Sequence, residues 1–238
     1  MQTIFHPAGS RGYAHHGWLT THHSFSFADY YDPQKMGFGA LRVLNDDIIE
    51  AGQGFGRHPH RDMEIITIPL SGALAHKDSM GNAAVIETGE VQVMSAGTGV
   101  EHSEFNASQT EAVMGLQIWI VPNRRGAEPR YAQKLFGQPL PRNEFSLVVG
   151  PEGGEENGAL FIHQDAFLSL GRFDADTDID YALRSTSNGV YFFVIEGAMA
   201  AGSQVLEQRD ALGVWDAAIV TVRAKQGAYI LAIEVPMM

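Results

Sequence analysis

The feature that most constrains this chain is its punctuation. Short runs of branched and aromatic residues alternate with glycines that recur every few positions. In the first half the runs are residues 64–70 (EIITIPL), 91–94 (VQVM) and 113–121 (VMGLQIWIV), with Gly52, Gly54, Gly56, Gly72, Gly81, Gly89, Gly97 and Gly99 between and around them. The second half repeats the style at 145–149 (FSLVV), 190–195 (VYFFVI), 218–222 (AIVTV) and 229–235 (YILAIEV). Runs of this length, rich in β-formers and joined by glycine turns, predict an all-β fold of sandwiches or barrels. Helical periodicity is scarce. Residues 210–215 and part of 129–135 read as short helical turns.

With 238 residues, 45% of them apolar and 18% charged, the chain can bury a substantial core in one or two domains. Residues 121–143 carry Pro122, Pro129, Pro139 and Pro141, which suit neither helix interiors nor central strands. This places a linker at 123–144 between an N-terminal domain, 1–122, and a C-terminal domain of similar size, 145–238. The glycine-rich stretch 150–158 (GPEGGEENG) reads as a surface loop.

A formal net charge of -12 argues against direct nucleic-acid binding, which needs a basic surface over phosphates. The chain contains no cysteine, so disulfides and thiolate metal sites are excluded. Its N-terminus lacks the apolar core of a signal peptide, and no run approaches the roughly 18 apolar residues of a membrane helix. The expectation is a cytoplasmic protein with no membrane partner.

Nine of the ten histidines fall at or before residue 102; His163 is the exception. His58-Pro59-His60 places two imidazoles at i and i+2, on one face of a strand and about 6.6 Å apart, close enough to converge on one ion. Pro59 removes a ladder donor, so that strand is expected at an edge or a bulge. His102-Ser103-Glu104 repeats the spacing with an imidazole and a carboxylate. On neighbouring strands the two pairs would surround one point with three nitrogens and one oxygen, a set suited to Fe(II), Mn, Co, Ni, Cu or Zn. The alternative is four satisfied polar residues lining a barrel, in which case the carboxylate needs a partner.

These residues resemble the cupin superfamily. Gly52, His58, His60, Glu64 and Gly72 match its first motif, with one extra residue before the last glycine. Gly89, Gly97, His102 and Asn106 match the second less closely, with Ser95 in place of proline and two extra residues before the histidine. Over residues 3–122 the chain is similar to pirin-like proteins, the group that includes bacterial quercetinases. The similarity is carried by SFSFADYYDP (24–33), LRVLN (41–45), RHPHRD (57–62), SGALAHKDSMGN (71–82) and AGTGVEHSE (96–104). It implies a bicupin, two cupin β-barrels packed face to face, with metal in the N-terminal barrel alone.

The resemblance further implies His58, His60, His102 and Glu104 as ligands of one divalent transition ion. Fe(II) is the expected ion, with Ni, Co, Mn, Cu and Zn as alternatives. The implied activity is quercetin 2,3-dioxygenase: a flavonol held through its deprotonated 3-hydroxyl reacts with O2, and its heterocycle opens with release of carbon monoxide. Glu104 is the candidate base for that proton. The alternative function is a pirin-type regulator that binds a protein partner and uses the metal as a redox or structural element. Many cupins take the carboxylate ligand from the first motif, here Glu64. Along an unbroken strand Glu64 would lie about 13 Å from His60, which favours Glu104.

Other features point to less. His15, His16, His22 and His23 alternate faces on a strand and read as surface or packing residues of a lid-like segment. His76 is expected to hydrogen-bond Asp78 or backbone in a hairpin over 72–82. Phe25, Phe27, Tyr30 and Tyr31 read as core or domain-interface aromatics. The acidic run 174–180 lacks the glycine and terminal glutamate of a calcium loop and reads as a solvated turn.

Overall fold

The computed structural model describes residues 1–136, 140–153 and 158–237. Among them are twenty-two strands, one 3-10 turn at Ala8–Ser10 and no α-helix. The N-terminal half contains β1 (Gln2–His6), β2 (Gly12–His15), β3 (Leu19–His23), β4 (Leu41–Ile49), β5 (Gly54–His60), β6 (Glu64–Ser71), β7 (Ala73–Asp78), β8 (Ala83–Glu87), β9 (Glu90–Ser95), β10 (Val100–Asn106), β11 (Val113–Ile120) and β12 (Arg130–Leu135). The C-terminal half contains β13 (Phe145–Pro151), β14 (Leu160–Ile162), β15 (Phe167–Arg172), β16 (Thr177–Ala182), β17 (Asn188–Glu196), β18 (Met199–Ala201), β19 (Gln204–Leu206), β20 (Ala211–Trp215), β21 (Ile219–Ala224) and β22 (Tyr229–Pro236). No helix of the described residues is long and apolar enough to cross a membrane.

Each half is one module made of one seven-stranded and one four-stranded sheet, and the two together fit a bicupin. The N-terminal sheets run β12-β9-β6-β11-β4-β3-β2 and β5-β10-β7-β8. The C-terminal sheets run β1-β20-β17-β22-β15-β13-β14 and β16-β21-β18-β19. The two large sheets stack back to back. Ile66, Ile68, Leu116 and Ile118 from one meet Tyr191, Phe193, Leu231 and Ile233 from the other in one shared core.

Alternation along the strands explains the rest. On β17 the odd positions Tyr191, Phe193 and Ile195 enter the shared core, while Val190, Phe192 and Val194 fill the C-terminal barrel. Burial on both faces is why 190–195 reads as an uninterrupted apolar run. On β11 the alternation separates Leu116, Ile118 and Ile120 from Gln117 and Trp119, which face the N-terminal barrel interior. The C-terminal barrel is therefore filled with apolar side chains, and the N-terminal one keeps a cavity with both apolar and polar residues in its wall.

Several expectations need correction. Residues 210–215 and 129–135 are not helical turns: they contain β20 and β12, each an ordinary antiparallel partner. The stretch expected as linker thus supplies an edge strand to the N-terminal sheet, pairing with β9. In the other direction, β1 leaves the N-terminal half to pair with β20. The acidic run is not only a turn, because β16 begins within it. Its Asp176 and Asp178 pair with Lys225 and Arg223. Of the proposed surface loop at 150–158, positions 154–157 lie outside the described residues, as do 137–139 of the linker stretch.

Candidate metal centre

β5 is the edge of its sheet, and it is irregular. His58 pairs with His102, but Phe55 pairs with Glu104, so β5 fits one extra residue against β10. The edge position tolerates Pro59, which cannot donate to a ladder, while the bulge falls at Gly56 and Arg57, between Phe55 and His58. The i, i+2 pairs therefore sit on adjacent antiparallel strands, with His58 directly across from His102.

The three imidazoles converge. Ring centroids lie 4.4 Å apart for His58 and His102, and 4.9 Å apart for the other two pairs. Nε2 of His60 stands 3.0 Å from Nε2 of His102. Two nitrogens bound at right angles to one ion with bonds of about 2.1 Å would be separated by roughly 3 Å, so this spacing fits a shared ion. Protonation favours it too. Burial, reinforced by His58, lowers His60 to about 4. Burial and the surrounding imidazoles lower His102 to about 3. Both rings are neutral at pH 7, the form that binds metal. His58 Nδ1–H donates to the Gly56 carbonyl at 2.7 Å, which frees Nε2 as the lone-pair nitrogen.

Glu104 lies two residues beyond His102 on the same face of β10, and it is buried. Its Oε2 accepts from Gln117 Nε2 at 2.8 Å, and its Oε1 accepts from Thr67 Oγ1 at 3.3 Å. Burial pushes its carboxyl above the usual range, opposed by His76 and by these hydrogen bonds. The donor atoms fall into two overlapping groups, each within 4.8 Å: His58, His60 and His102, then His76, His102 and Glu104. His102 belongs to both. In this arrangement the Glu104 carboxylate is closer to His76 and His102 than to the pair on β5.

His76 makes the expected hydrogen bond, Nε2 to Asp78 Oδ2 at 3.2 Å, yet it is part of the site rather than remote from it. Register places it across from Glu104, with its ring 5.3 Å from that of His102. The argument that placed Glu64 away from His60 also needs correction. The chain does not continue as one strand: it breaks at 61–63, where Asp62 has φ 47°, and Glu64 opens β6 in the other sheet. Glu64 is buried at the junction of the halves, where Ser95 Oγ donates to it at 2.6 Å and the His163 backbone N–H also donates.

The imidazoles line a cavity of about 440 Å³, within the range of roughly 300–1,000 Å³ common for small-molecule sites. One part of its wall is apolar: Trp18, Phe27, Phe55, Ile65 and Trp119. Phe27 meets Trp119 edge to face at 5.3 Å, and Trp119 meets His60 at 4.9 Å. Phe27 is therefore a cavity residue rather than a core aromatic, and Tyr31 is 72% exposed, whereas Phe25 does join the shared core. His16 and His23 also reach the cavity. The other part of the wall is polar: Thr21, Asn45, Asp47 and Gln117. Burial raises the Asp47 carboxyl to about 7, with the Thr21 hydroxyl bond opposing and Asp46 and Glu104 adding to the rise. The legible clue to these residues was parity: Asn45 and Asp47, like Gln117 and Trp119, are i, i+2 pairs that share one face of a strand.

Residues 5–120 match the Pirin family model, and residues 147–235 match the model described as Quercetinase C-terminal cupin domain. The chain is 43% identical over 229 residues to a quercetin 2,3-dioxygenase of Escherichia coli strain K12, covering 96% of each chain. It is 38% identical over 228 residues to a pirin-like protein of Caulobacter vibrioides, covering 96% of this chain and 97% of that one. The crystal structure of the bacterial pirin YhhW from Escherichia coli in complex with nickel(II) superposes with a TM-score of 0.93 at 40% identity, covering 100% of both chains.

Proposed function

The chain belongs to the pirin family of cupin proteins, and from that premise we propose that it cleaves the flavonol quercetin with O2 as a metal-dependent quercetin 2,3-dioxygenase. The observation that carries this reading is the meeting of three imidazoles, two of them held neutral by burial, with a buried carboxylate on the wall of one largely apolar cavity. His58, His60, His102 and Glu104 would hold one divalent ion, and Fe(II) is our assignment. Nickel, cobalt, manganese, copper and zinc suit three nitrogens and one oxygen as well, so elemental analysis separates them. When bound, the ion supplies Lewis acidity and an electron route between the flavonol and O2.

The residues do the remainder. Trp18, Phe27, Phe55, Ile65 and Trp119 offer flat apolar surface to a planar aromatic substrate and exclude competing water. Glu104 takes the proton of the 3-hydroxyl. Burial raises its affinity for protons. Gln117 and Thr67 hold the carboxylate in place.

The test compares quercetin consumption in air by the wild type, the Glu104→Gln variant and an equal concentration of free ion. Glu104→Gln keeps the shape and an oxygen donor but loses the charge and the basicity. Turnover should fall by a factor on the order of 100 or more while some metal remains. If the wild type is no faster than the free ion, the enzyme reading fails and a partner-binding role takes its place.

A further inference from the structure

The polar wall of the cavity is ordered by register. Gln92 on β9, Thr67 on β6, Gln117 on β11, Asn45 on β4 and His23 on β3 stand opposite one another in sequence, forming one row across the sheet. One pleat further along, Asp47 stands between Gly115 and Thr21.

The hydrogen bonds within the row fix its polarity. Gln117 directs its amide N–H to the Glu104 carboxylate, so its oxygen is an acceptor. That oxygen is buried and has no hydrogen-bond partner. His23 Nδ1 donates to Asn45 Oδ1 at 2.8 Å. Asp46 pairs with Arg11 and Arg209. The neighbouring Asp47 instead faces the cavity, with the Thr21 hydroxyl as partner. A buried carboxyl and a spare amide oxygen on one wall form an acceptor-rich surface. The Gln117 oxygen is the unpaired one, and a buried acceptor without a partner costs free energy until a donor arrives.

We propose that Asp47, assisted by the Gln117 amide oxygen, is a specificity-determining group that accepts hydrogen bonds from ring hydroxyls of the substrate, so that the cavity selects polyhydroxylated aromatics over equally flat analogues without those hydroxyls. The proposal rests on the flavonol reading above and extends it. Aromatic walls would bind both kinds of ring, whereas an acceptor wall built to be paired discriminates against a ligand that leaves it unpaired. Asp47 lies on β4, in the sheet opposite β5 and β10, and the hydroxyl assigned to it is one other than the 3-hydroxyl presented to the imidazoles.

The experiment measures equilibrium binding and turnover of two flavonols by metal-loaded protein. Quercetin carries ring hydroxyls besides the 3-hydroxyl, and 3-hydroxyflavone carries the 3-hydroxyl alone. Quenching of tryptophan fluorescence reports binding, since Trp18 and Trp119 line the cavity. The wild type should prefer quercetin. In Asp47→Leu the ratio of the two dissociation constants should shrink by a factor on the order of 10. Asp47→Asn, which preserves shape and folding, should shrink it by less. A ratio unchanged in both variants overturns the assignment, as does parallel weakening of both ligands. Binding of quercetin without turnover would sink the dioxygenase reading while leaving the ratio to decide this one. Failure of the wild type to bind either flavonol would sink both.

Discussion

At the scale of single residues, burial sets the chemistry. His60 and His102 are neutral because the folded state makes a charged imidazole expensive there. Replacing either with alanine should remove near-stoichiometric metal, a larger loss than the 10–100-fold effect typical of changing a ligand's outer partners. Elemental analysis of untagged protein checks this, and a His60→Ala, His102→Ala double variant that kept a full equivalent would move the site elsewhere. Asp47 gives a test in metal-free protein. Its carboxyl holds a proton up to about pH 7 when folded, against an ordinary value of 3.8. The folded state thus binds more protons than the unfolded state between those values, so stability declines as pH rises through the window. The cost reaches on the order of 4 kcal/mol once Asp47 is ionised. Asp47→Asn removes it, so the variant should gain over wild type at pH 8 and lose that advantage near pH 4. Denaturant midpoints at the two pH values in the presence of a chelator would show this, and equal differences at both would contradict it.

At the scale of elements, the site depends on how closely β5 lies against β10. A Cβ on Gly54 would stand 2.2 Å from the Glu104 carbonyl oxygen and 2.5 Å from Phe105 Cα, both backbone atoms. Gly54→Ala must therefore push the strands apart at the Gly54–Phe105 pair, against the backbone of Glu104 and on the same strand pair that brings His58 across from His102. The expected cost is about 1–3 kcal/mol, together with weaker metal retention. Gly56 is the control two residues away, because nothing lies within 4 Å of its added Cβ. Gly56→Ala should stay within about 0.5 kcal/mol of wild type. Thermal unfolding of the two variants with metal assay separates them, and equal behaviour would show that close approach is not what holds β5.

At the scale of the whole molecule, the halves are not independent beads. Their large sheets share a core, β1 crosses to the C-terminal sheet, and His6 Nδ1 on β1 bonds the Tyr191 hydroxyl at 2.8 Å. Glu64 belongs to this junction, accepting from Ser95 and from the His163 backbone. Glu64→Ala leaves those donors unpaired and should cost about 1–3 kcal/mol. At about 2–4 °C per kcal/mol for a chain of this size, the melting temperature falls visibly. Metal content should stay at the wild-type level. Loss of metal with unchanged melting would instead make Glu64 a ligand.

The sequence by itself determined the all-β class and the histidine pairs, and its resemblance to cupins implied the two-barrel plan. The class and the pairs are written in local spacing: short runs of β-formers, glycine turns, and i, i+2 side chains that any strand puts on one face. The long apolar run of β17 was legible because burial on both faces leaves no room for polar residues, whereas β6, β11 and β22 interrupt theirs with Thr67, Gln117 and Glu234. The helical misreading of residues 210–215 arose where a short strand has too few residues to display a period. Only the tertiary structure decided that His76 adjoins Glu104, that Glu64 belongs to the domain junction, and that Asn45, Asp47 and Gln117 share a wall. Those relations are set by register between strands distant in the chain, and register is fixed by the packing of whole sheets rather than by any local run of residues.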